Sequence, residues 1–120
     1  MRMRVFPTVE APRQARRQVS AMSSEIDERS TSDVKTVVSE LVTMSVAQGA
    51  RKPIEIWLEL DDGRLEGALS DDGPGARALV RARDRRDDSL AVRIVDGLVE
   101  EWGASDRDSG IWFRMNVQRV

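Results

Sequence analysis

Apolar residues recur with helical spacing in the first half of the chain. Between residues 11 and 24 the small and apolar positions lie three or four apart and predict a first helix: Ala11, Ala15, Val19 and Met22. A stronger pattern predicts a second helix, capped by Thr31 or Ser32 and ended by Gly49, with its apolar face at Val34, Val37, Val38, Leu41, Val42 and Val46. The polar stretch between them, Glu25 to Thr31, is expected to be a connection.

Strands are predicted at three places along the chain. Val5 and Phe6 predict a short opening strand, which Pro7 ends because proline has no amide hydrogen to donate. Residues 54–60 and 65–69 alternate and are joined by Asp61-Asp62-Gly63, which is typical of a hairpin turn. Residues 111–117 alternate again and predict the last strand.

Turn residues and charge dominate the region between the hairpin and the last strand. Asp71-Asp72-Gly73-Pro74-Gly75 cannot continue a strand, because glycine and proline break the pattern. The dense charge of residues 76–88 favours a solvated, mobile loop. A third helix is expected from about Ser89 to Trp102, and one more strand near Gly103 to Asp106.

These elements follow one another as β-α-α-β-β-loop-α-β. Helices grouped apart from an antiparallel sheet predict an α+β protein, a two-layer α/β sandwich with a mostly antiparallel sheet and helices on one face. At 120 residues the chain is long enough for one core, and we expect residues 1–120 to form a single domain.

Missing residue types restrict the chemistry. The chain has no histidine, cysteine or tyrosine, which removes disulfides, thiol nucleophiles and the commonest metal ligand. Its net charge of −2 argues against direct nucleic-acid binding. No apolar run after Met1 is long enough for a signal peptide or a membrane span. We therefore expect a cytoplasmic protein that binds neither nucleic acid nor membrane.

Two clusters could carry chemistry. Glu40 and Met44 lie four residues apart and share one side of the second helix. A single glutamate on such a helix is usually solvated surface. Asp71 to Gly75 follows a strand directly and reads either as an ordinary acidic turn or as a ligand site. In a site, the glycines would let a ligand approach the backbone while Asp71 accepts a hydrogen bond from it.

Four segments together, in this order, resemble the GHKL (Bergerat-fold) ATPases. They are Val38-Ser-Glu-Leu-Val-Thr-Met-Ser-Val46, Asp71-x-Gly73-x-Gly75, Val92 to Leu98, and Ile111-Trp112-Phe113. Within that group the chain is similar to the bacterial anti-sigma factor serine-protein kinases, histidine-kinase-like domains that stand alone. The resemblance covers residues 5–117 and implies the Bergerat fold of histidine-kinase ATPase domains.

The resemblance implies a role for each matching residue of a nucleotide site. Glu40 matches the family's candidate general base. Asp71, with Gly73 and Gly75, matches the box that recognises the adenine amino group. Met44, however, stands where the family has the asparagine that holds magnesium. A soft thioether offers little to a hard cation that prefers oxygen ligands.

The phosphate side departs further from the family pattern. Ser89 and Ala91 stand where a glycine pair opens the third helix, although Ser89 can still cap that helix. Gly110, with Ser109 beside it, stands where the family has a threonine. The half of the site that would recognise a base is therefore kept and the metal and phosphate half is eroded. ATP with magnesium is the one cofactor that the resemblance implies, and this erosion argues against it.

Three groups of surface residues have two readings each. The segment 76–88 matches the family's ATP lid, where Arg81, Arg83, Arg85 and Arg86 could meet phosphates or an acidic partner, or be solvated. Arg13, Arg16 and Arg17 are surface charge or a partner contact in a region that the family uses for dimer and partner binding. Trp57 and Trp112 occupy the polar register of their strands, so they form an interface or lie under a second helix layer.

Three hypotheses follow for the function. The first is an anti-sigma-type regulator that acts mainly by binding proteins, with an eroded nucleotide site and weak or absent kinase activity. The alternative is an ATP-binding serine-protein kinase that phosphorylates an anti-anti-sigma (STAS-type) partner. The third is an unrelated α+β scaffold in which the acidic turns are only turns. The resemblance implies a sigma factor, a STAS protein or both as partners, and is compatible with a homodimer.

Overall fold

The computed structural model describes residues 1–73, 75–87, 89–105 and 110–120. Within these ranges the helices are α1 (Ala11–Val19), α2 (Glu28–Ala47), α3 (Arg77–Asp84) and α4 (Leu90–Leu98), and a 3₁₀ turn at Ser20–Ser24 follows α1. The strands are β1 (Arg2–Val5), β2 (Ile54–Asp61), β3 (Arg64–Ser70), β4 (Glu101–Ala104) and β5 (Ile111–Asn116). Four residues for which the sequence raised expectations lie outside the described ranges: Pro74, Asp88, Asp106 and Ser109.

The five strands form one sheet in the order β1-β2-β3-β5-β4, with every neighbouring pair antiparallel. Alternate residues of β1, β2, β3 and β5 are buried in the same core as the apolar faces of the helices, so the helices cover one side of the sheet. The other side carries the polar register. The α+β sandwich with helices on one face, expected from the sequence, is confirmed.

Helix α2 begins earlier than the apolar pattern indicates. Its N-cap is Asp27, whose carboxylate accepts a hydrogen bond from the backbone N–H of Ser30 at 2.8 Å. Ser30 and Thr31 are buried, because their hydroxyls bond to the backbone of Gln118 and Asp27 respectively. The expected cap at Thr31 or Ser32 is therefore wrong. The expected end is right, since Gly49 follows the helix with φ +87°.

Residues 76–88 contain a helix, so the expectation of a loop there is wrong. Three residues of α3 are buried among the core side chains despite the surrounding charges: Leu79, Val80 and Ala82. Three apolar residues are too few to reveal helical spacing in a sequence that is otherwise charged.

Helix α4 ends at Leu98, four residues before the expected end at Trp102. The backbone is already extended at Val99, and the N–H of Glu100 donates to the carbonyl of Arg114 at 2.8 Å. Trp102 therefore lies in β4, opposite Phe113, and β4 begins two residues earlier than expected. At the other end of the chain, β1 stops at Val5 and leaves the Phe6 side chain 63% exposed.

The longest helix in the structure is α2, with 20 residues. One side of it is buried and the other is polar, as suits a helix that covers a sheet. Among the described residues, no helix combines the length and the apolar composition needed to cross a membrane.

Candidate functional site

Asp71 is a buried and well hydrogen-bonded residue of the candidate site. It follows β3 directly and is only 8% exposed. Its Oδ2 accepts hydrogen bonds from the Ser45 hydroxyl at 2.7 Å and from the backbone N–H of Ala76 at 3.3 Å. Its Oδ1 accepts from the N–H of Gly73 at 3.1 Å. The carboxylate is therefore held in one orientation by α2 on one side and by its own loop on the other.

Ser45 is the site residue that the sequence reasoning missed. Its side chain is fully buried on the inner face of α2, where it joins the helix to the Asp71 loop. The pattern held a signal for it, because Ser45 lies four residues after Leu41 and three after Val42 and so belongs to the apolar stripe. A hydroxyl in a buried stripe requires a hydrogen-bond partner, and Asp71 provides it.

The two described glycines of the loop have different structural roles. Gly75 has φ +38°, and a Cβ added there would lie 1.6 Å from Asp71 Oδ2, which leaves no room for a side chain. A Cβ added at Gly73 would have nothing within 4 Å. Gly75 is thus required by the enclosed carboxylate, whereas the backbone of Gly73 borders open space that a ligand could approach.

Asp72 fixes the loop from its other side. Its carboxylate accepts a hydrogen bond from the backbone N–H of Arg51 at 3.1 Å, which ties the loop to the chain just before β2. That bond is the main cause of a lowered pKa of the Asp72 carboxyl. The two adjacent acids therefore hold the loop in place, Asp71 against α2 and Asp72 against the α2–β2 connection.

Glu40 and Met44 lie on α2 as expected, and both side chains are half-buried. The Met44 sulfur accepts a weak hydrogen bond from the side-chain amide of Gln48 at 3.7 Å. Met44 directly precedes Ser45, so it lies next to the contact between α2 and Asp71. The structure thus brings this part of α2 to the loop.

The residues at this position do not fit the magnesium ion that the resemblance implies. A thioether replaces the amide oxygen of the family's asparagine, and magnesium binds oxygen ligands. Within the described ranges, no three acidic, histidine or cysteine side chains are grouped so that they could hold a metal ion. We therefore derive no step that depends on the metal.

The N-terminus of α4 is capped by the chain itself. Ser89 is the N-cap residue, and its Oγ accepts a hydrogen bond from the N–H of Val92 at 3.4 Å, as the sequence allowed. Helix N-termini bind phosphates through such free N–H groups. Here one of them is already used, and the half-buried Ala91 carries a Cβ where the family has glycine.

The side chain of Arg83, in α3, is bonded to other parts of the protein. Its guanidinium stacks on the Trp102 ring at 4.9 Å and donates to the carbonyl oxygen of Trp102. The Trp102 indole N–H in turn donates to Asp96 of α4 at 2.8 Å. These contacts join α3, β4 and α4 and fix the segment that matches the ATP lid.

The remaining arginines of the segment are different. Arg81, Arg85 and Arg86 are exposed, and Arg85 lies 3.8 Å from Asp87. Gly110 is buried just before β5, and its carbonyl accepts from the N–H of Ser105 at 2.9 Å. Ser109, its expected neighbour in the site, lies outside the described residues.

Known structures share this arrangement of elements. Ten solved chains match, among them the crystal structure of the RsbU and RsbW domains of Rv1364c from Mycobacterium tuberculosis. That match has a TM-score of 0.67 and 18% sequence identity, and it covers 99% of this chain and 32% of the other. No protein-family profile and no curated protein matches. The chain thus spans about a third of that chain's length and shares the fold of the matched part, the fold that the GHKL resemblance implies.

Proposed function

We propose that this chain is a cytoplasmic anti-sigma-type regulator that acts mainly by binding other proteins, and that residues 1–120 form one histidine-kinase-like domain. The observation that carries the proposal is the structural match over 99% of the chain to a protein that contains an RsbW domain. The resemblance of the Val38–Val46 and Asp71–Gly75 segments points to the same family.

The buried, oriented carboxylate of Asp71 supports recognition of a nucleotide base. Asp71 is buried, oriented by Ser45 and flanked by the open backbone of Gly73. A carboxylate held in this way can accept a hydrogen bond from an amino group such as that of adenine. Asp71, Gly73 and Gly75 are therefore the proposed base-binding residues, and Ser45 positions the first of them.

The opposite half of the site supports the loss of kinase chemistry. Phosphoryl transfer depends on positioning and on charge neutralisation by metal ions. Met44 offers no oxygen ligand, and the N-terminus of α4 is capped by Ser89 and carries Ala91. With these groups a triphosphate would have few partners, so we expect little or no kinase activity.

Without kinase chemistry, the chain would act by binding other proteins. The chain has a net charge of −2 yet presents Arg13, Arg16 and Arg17 at the surface of α1, where they suit an acidic protein surface. The partner class that follows from the family is a sigma factor, an anti-anti-sigma STAS protein or both. Direct binding of nucleic acid is not part of the proposal.

One observation favours the alternative, an active serine-protein kinase. Glu40 is present at the position of the family's general base, on the same helix that orients Asp71. In this case Glu40 would accept the proton of a STAS-protein serine while ATP is bound at the Asp71–Gly75 loop.

Purified proteins distinguish the two functions. The chain is titrated into candidate sigma factors and STAS proteins by calorimetry, and phosphoryl transfer to each STAS protein is followed with labelled ATP. The proposal expects binding without nucleotide and no transfer above that of a Glu40→Gln variant. Transfer that Glu40→Gln abolishes would establish the kinase instead, and binding to neither class would refute both.

A further inference from the structure

The side of the sheet that faces away from the helices carries two tryptophans in one row. The strand register places Trp57 of β2 beside Ala68 of β3, and Ala68 beside Trp112 of β5. Trp57 is 39% exposed and Trp112 is half-buried. No helix among the described residues covers this outer face, so the second helix layer expected as one alternative is not found there. Two tryptophans at one surface are unusual if that surface meets only water.

The two indoles border a groove over Ala68. Their backbones lie two strands apart, about 10 Å, because neighbouring strands are spaced by about 4.8 Å. The cavity has a volume of about 380 Å³, near the lower end of the range for ligand pockets, so it has room for a few residues of an extended chain. On the far side Trp112 lies against Gly103, where an added Cβ would be 3.2 Å from the indole ring. This tryptophan groove is also lined by charged residues: Glu59, Glu66 and Arg114.

A row of charged side chains runs beside the tryptophan row. It crosses four strands and has three carboxylates for one guanidinium: Glu59, Glu66, Arg114 and Glu101. Arg114 lies 2.9 Å from Glu101 and 3.6 Å from Glu66. The carboxylate of Glu59 is exposed and takes part in no ion pair or hydrogen bond of the described residues. This border of the tryptophan groove is therefore left with negative charge, which suits a cationic ligand group.

The arginines that contact the indoles are already paired. Arg2 stacks over Trp57 at 5.1 Å and lies 3.6 Å from Glu55. Arg114 stacks over Trp112 at 5.9 Å, in addition to its ion pairs. An acidic ligand would therefore meet the carboxylates of the groove without an unpaired arginine to offset them.

The indole N–H groups indicate what else a ligand must supply. Neither the Trp57 nor the Trp112 indole donates a hydrogen bond to another described residue, so the groove has two donors that need acceptors. A bound helix offers few acceptors, because its carbonyls bond within the helix. A chain in the polyproline II conformation has no internal hydrogen bonds, so its carbonyls are free to accept. Proline also brings no N–H of its own that would need an acceptor in the groove.

We propose that the tryptophan groove binds a proline-rich segment of a partner protein in the polyproline II conformation, with an arginine or lysine beside the prolines. The segment lies across the strands, with its proline rings on Trp57 and Trp112. Three residues of polyproline II rise about 9.3 Å, close to the separation of two strands, so residues three or four apart meet the two indoles. The basic side chain pairs with Glu59. This site lies on the side of the sheet away from α1 and α2, so it goes beyond the proposed function and does not depend on the Asp71 loop.

Synthetic peptides test the chemistry of the ligand. A polyproline peptide with an arginine at each end is titrated into the full chain, and binding is followed by calorimetry. Two peptides of equal length serve as comparisons, one with glutamate in place of each arginine and one with glycine and serine in place of the prolines. We expect each replacement to weaken binding at least about tenfold, since it removes either the charge match or the preformed conformation.

Variants of the chain locate the site. Trp57→Ala is expected to weaken binding of the arginine-flanked peptide at least about tenfold, and Glu59→Gln by about two- to fivefold, the range for an exposed ion pair. The matched controls are Phe6→Ala and Glu25→Gln, which change an exposed aromatic residue and an exposed carboxylate away from the groove and are expected to leave binding unchanged.

Four results would overturn the proposal. They are the absence of peptide binding, equal binding of the glycine–serine peptide, equal binding of the glutamate-flanked peptide, and equal losses in Trp57→Ala and Phe6→Ala. Sedimentation velocity of the chain with and without peptide distinguishes the remaining occupant. If a second copy of the chain fills the groove and excludes the peptide, the groove is not a site for a proline-rich segment.

Discussion

Gly73 and Gly75 lie two residues apart in the same loop, and a side chain would meet very different surroundings at each. Gly75→Ala is expected to lower the free energy of unfolding by more than about 2 kcal/mol, because its Cβ would collide with the Asp71 carboxylate and its φ is positive. Gly73→Ala is the control, with an expected change below about 1 kcal/mol. Urea denaturation measures both; equal effects would mean that the enclosed carboxylate is not as described.

Ser45 provides the second test at this scale. Ser45→Ala removes the hydroxyl that donates to Asp71 inside the protein and is expected to cost about 1.5–3 kcal/mol of unfolding free energy, the range for hydrogen bonds to charged groups. Ser39→Ala, on the same helix, removes only a local bond to the Thr36 carbonyl and should change stability by less than about 0.5 kcal/mol. Similar losses at both positions would contradict the role given to Ser45.

Single residues also show what the sequence could and could not reveal. The acidic glycine loop was recognisable because Asp71 and its glycines form a contiguous motif. The contact of Ser45 with Asp71 was not, because the two residues are 26 positions apart and only the fold brings them together. The cap at Ser89 was predictable because an N-cap bond is local.

Helix α3 shows the limit of pattern reading for short elements. Eight residues rich in arginine lack a clear apolar period, so charge suggested a loop. The structure stabilises the helix through Leu79 and Val80 in the core and through Arg83 on Trp102, which are contacts between distant parts of the chain. The end of α4 was missed for the same reason, since there the N–H of Glu100 bonds to the carbonyl of Arg114, far away in sequence.

Arg83→Ala is expected to destabilise α3 locally. Loss of the stacking and the hydrogen bond to Trp102 is expected to speed amide hydrogen exchange in α3 about tenfold, the factor for about 1.4 kcal/mol. Arg81→Ala, an exposed neighbour on the same helix, serves as the control and should leave exchange unchanged. If both variants exchange like the wild type, the contact does not hold the helix.

Acid should act on the start of α2. The N–H of Ser30 lowers the pKa of Asp27 below its ordinary value of 3.8. A lowered folded-state pKa contributes stability above the ordinary pKa, and this is lost as the pH falls through the folded-state value. The stability advantage of wild type over Asp27→Asn, measured by urea denaturation, should therefore be constant near neutral pH and shrink below about pH 4. An advantage that grows on acidification would contradict this sign.

At the scale of the whole molecule, the sequence predicted the fold well because its strands and its first two helices are strongly periodic. The β2–β3 hairpin, the last strand and α2 supply nearly half of the core residues that the structure describes. The sequence did not predict the order of the strands in the sheet, since the position of β5 between β3 and β4 depends on contacts between residues far apart in sequence. The structural match supports the same fold.

We propose that Met44 and the capped N-terminus of α4 leave the candidate site without partners for magnesium and phosphate. ATP is titrated by calorimetry, with and without magnesium, into the wild type and into the triple variant Met44→Asn, Ser89→Gly, Ala91→Gly. We predict that magnesium leaves the wild-type affinity unchanged and raises that of the triple variant at least about tenfold, since a metal contributes several kcal/mol to holding a triphosphate. Wild-type binding that is micromolar and at least about tenfold tighter with magnesium would contradict the account.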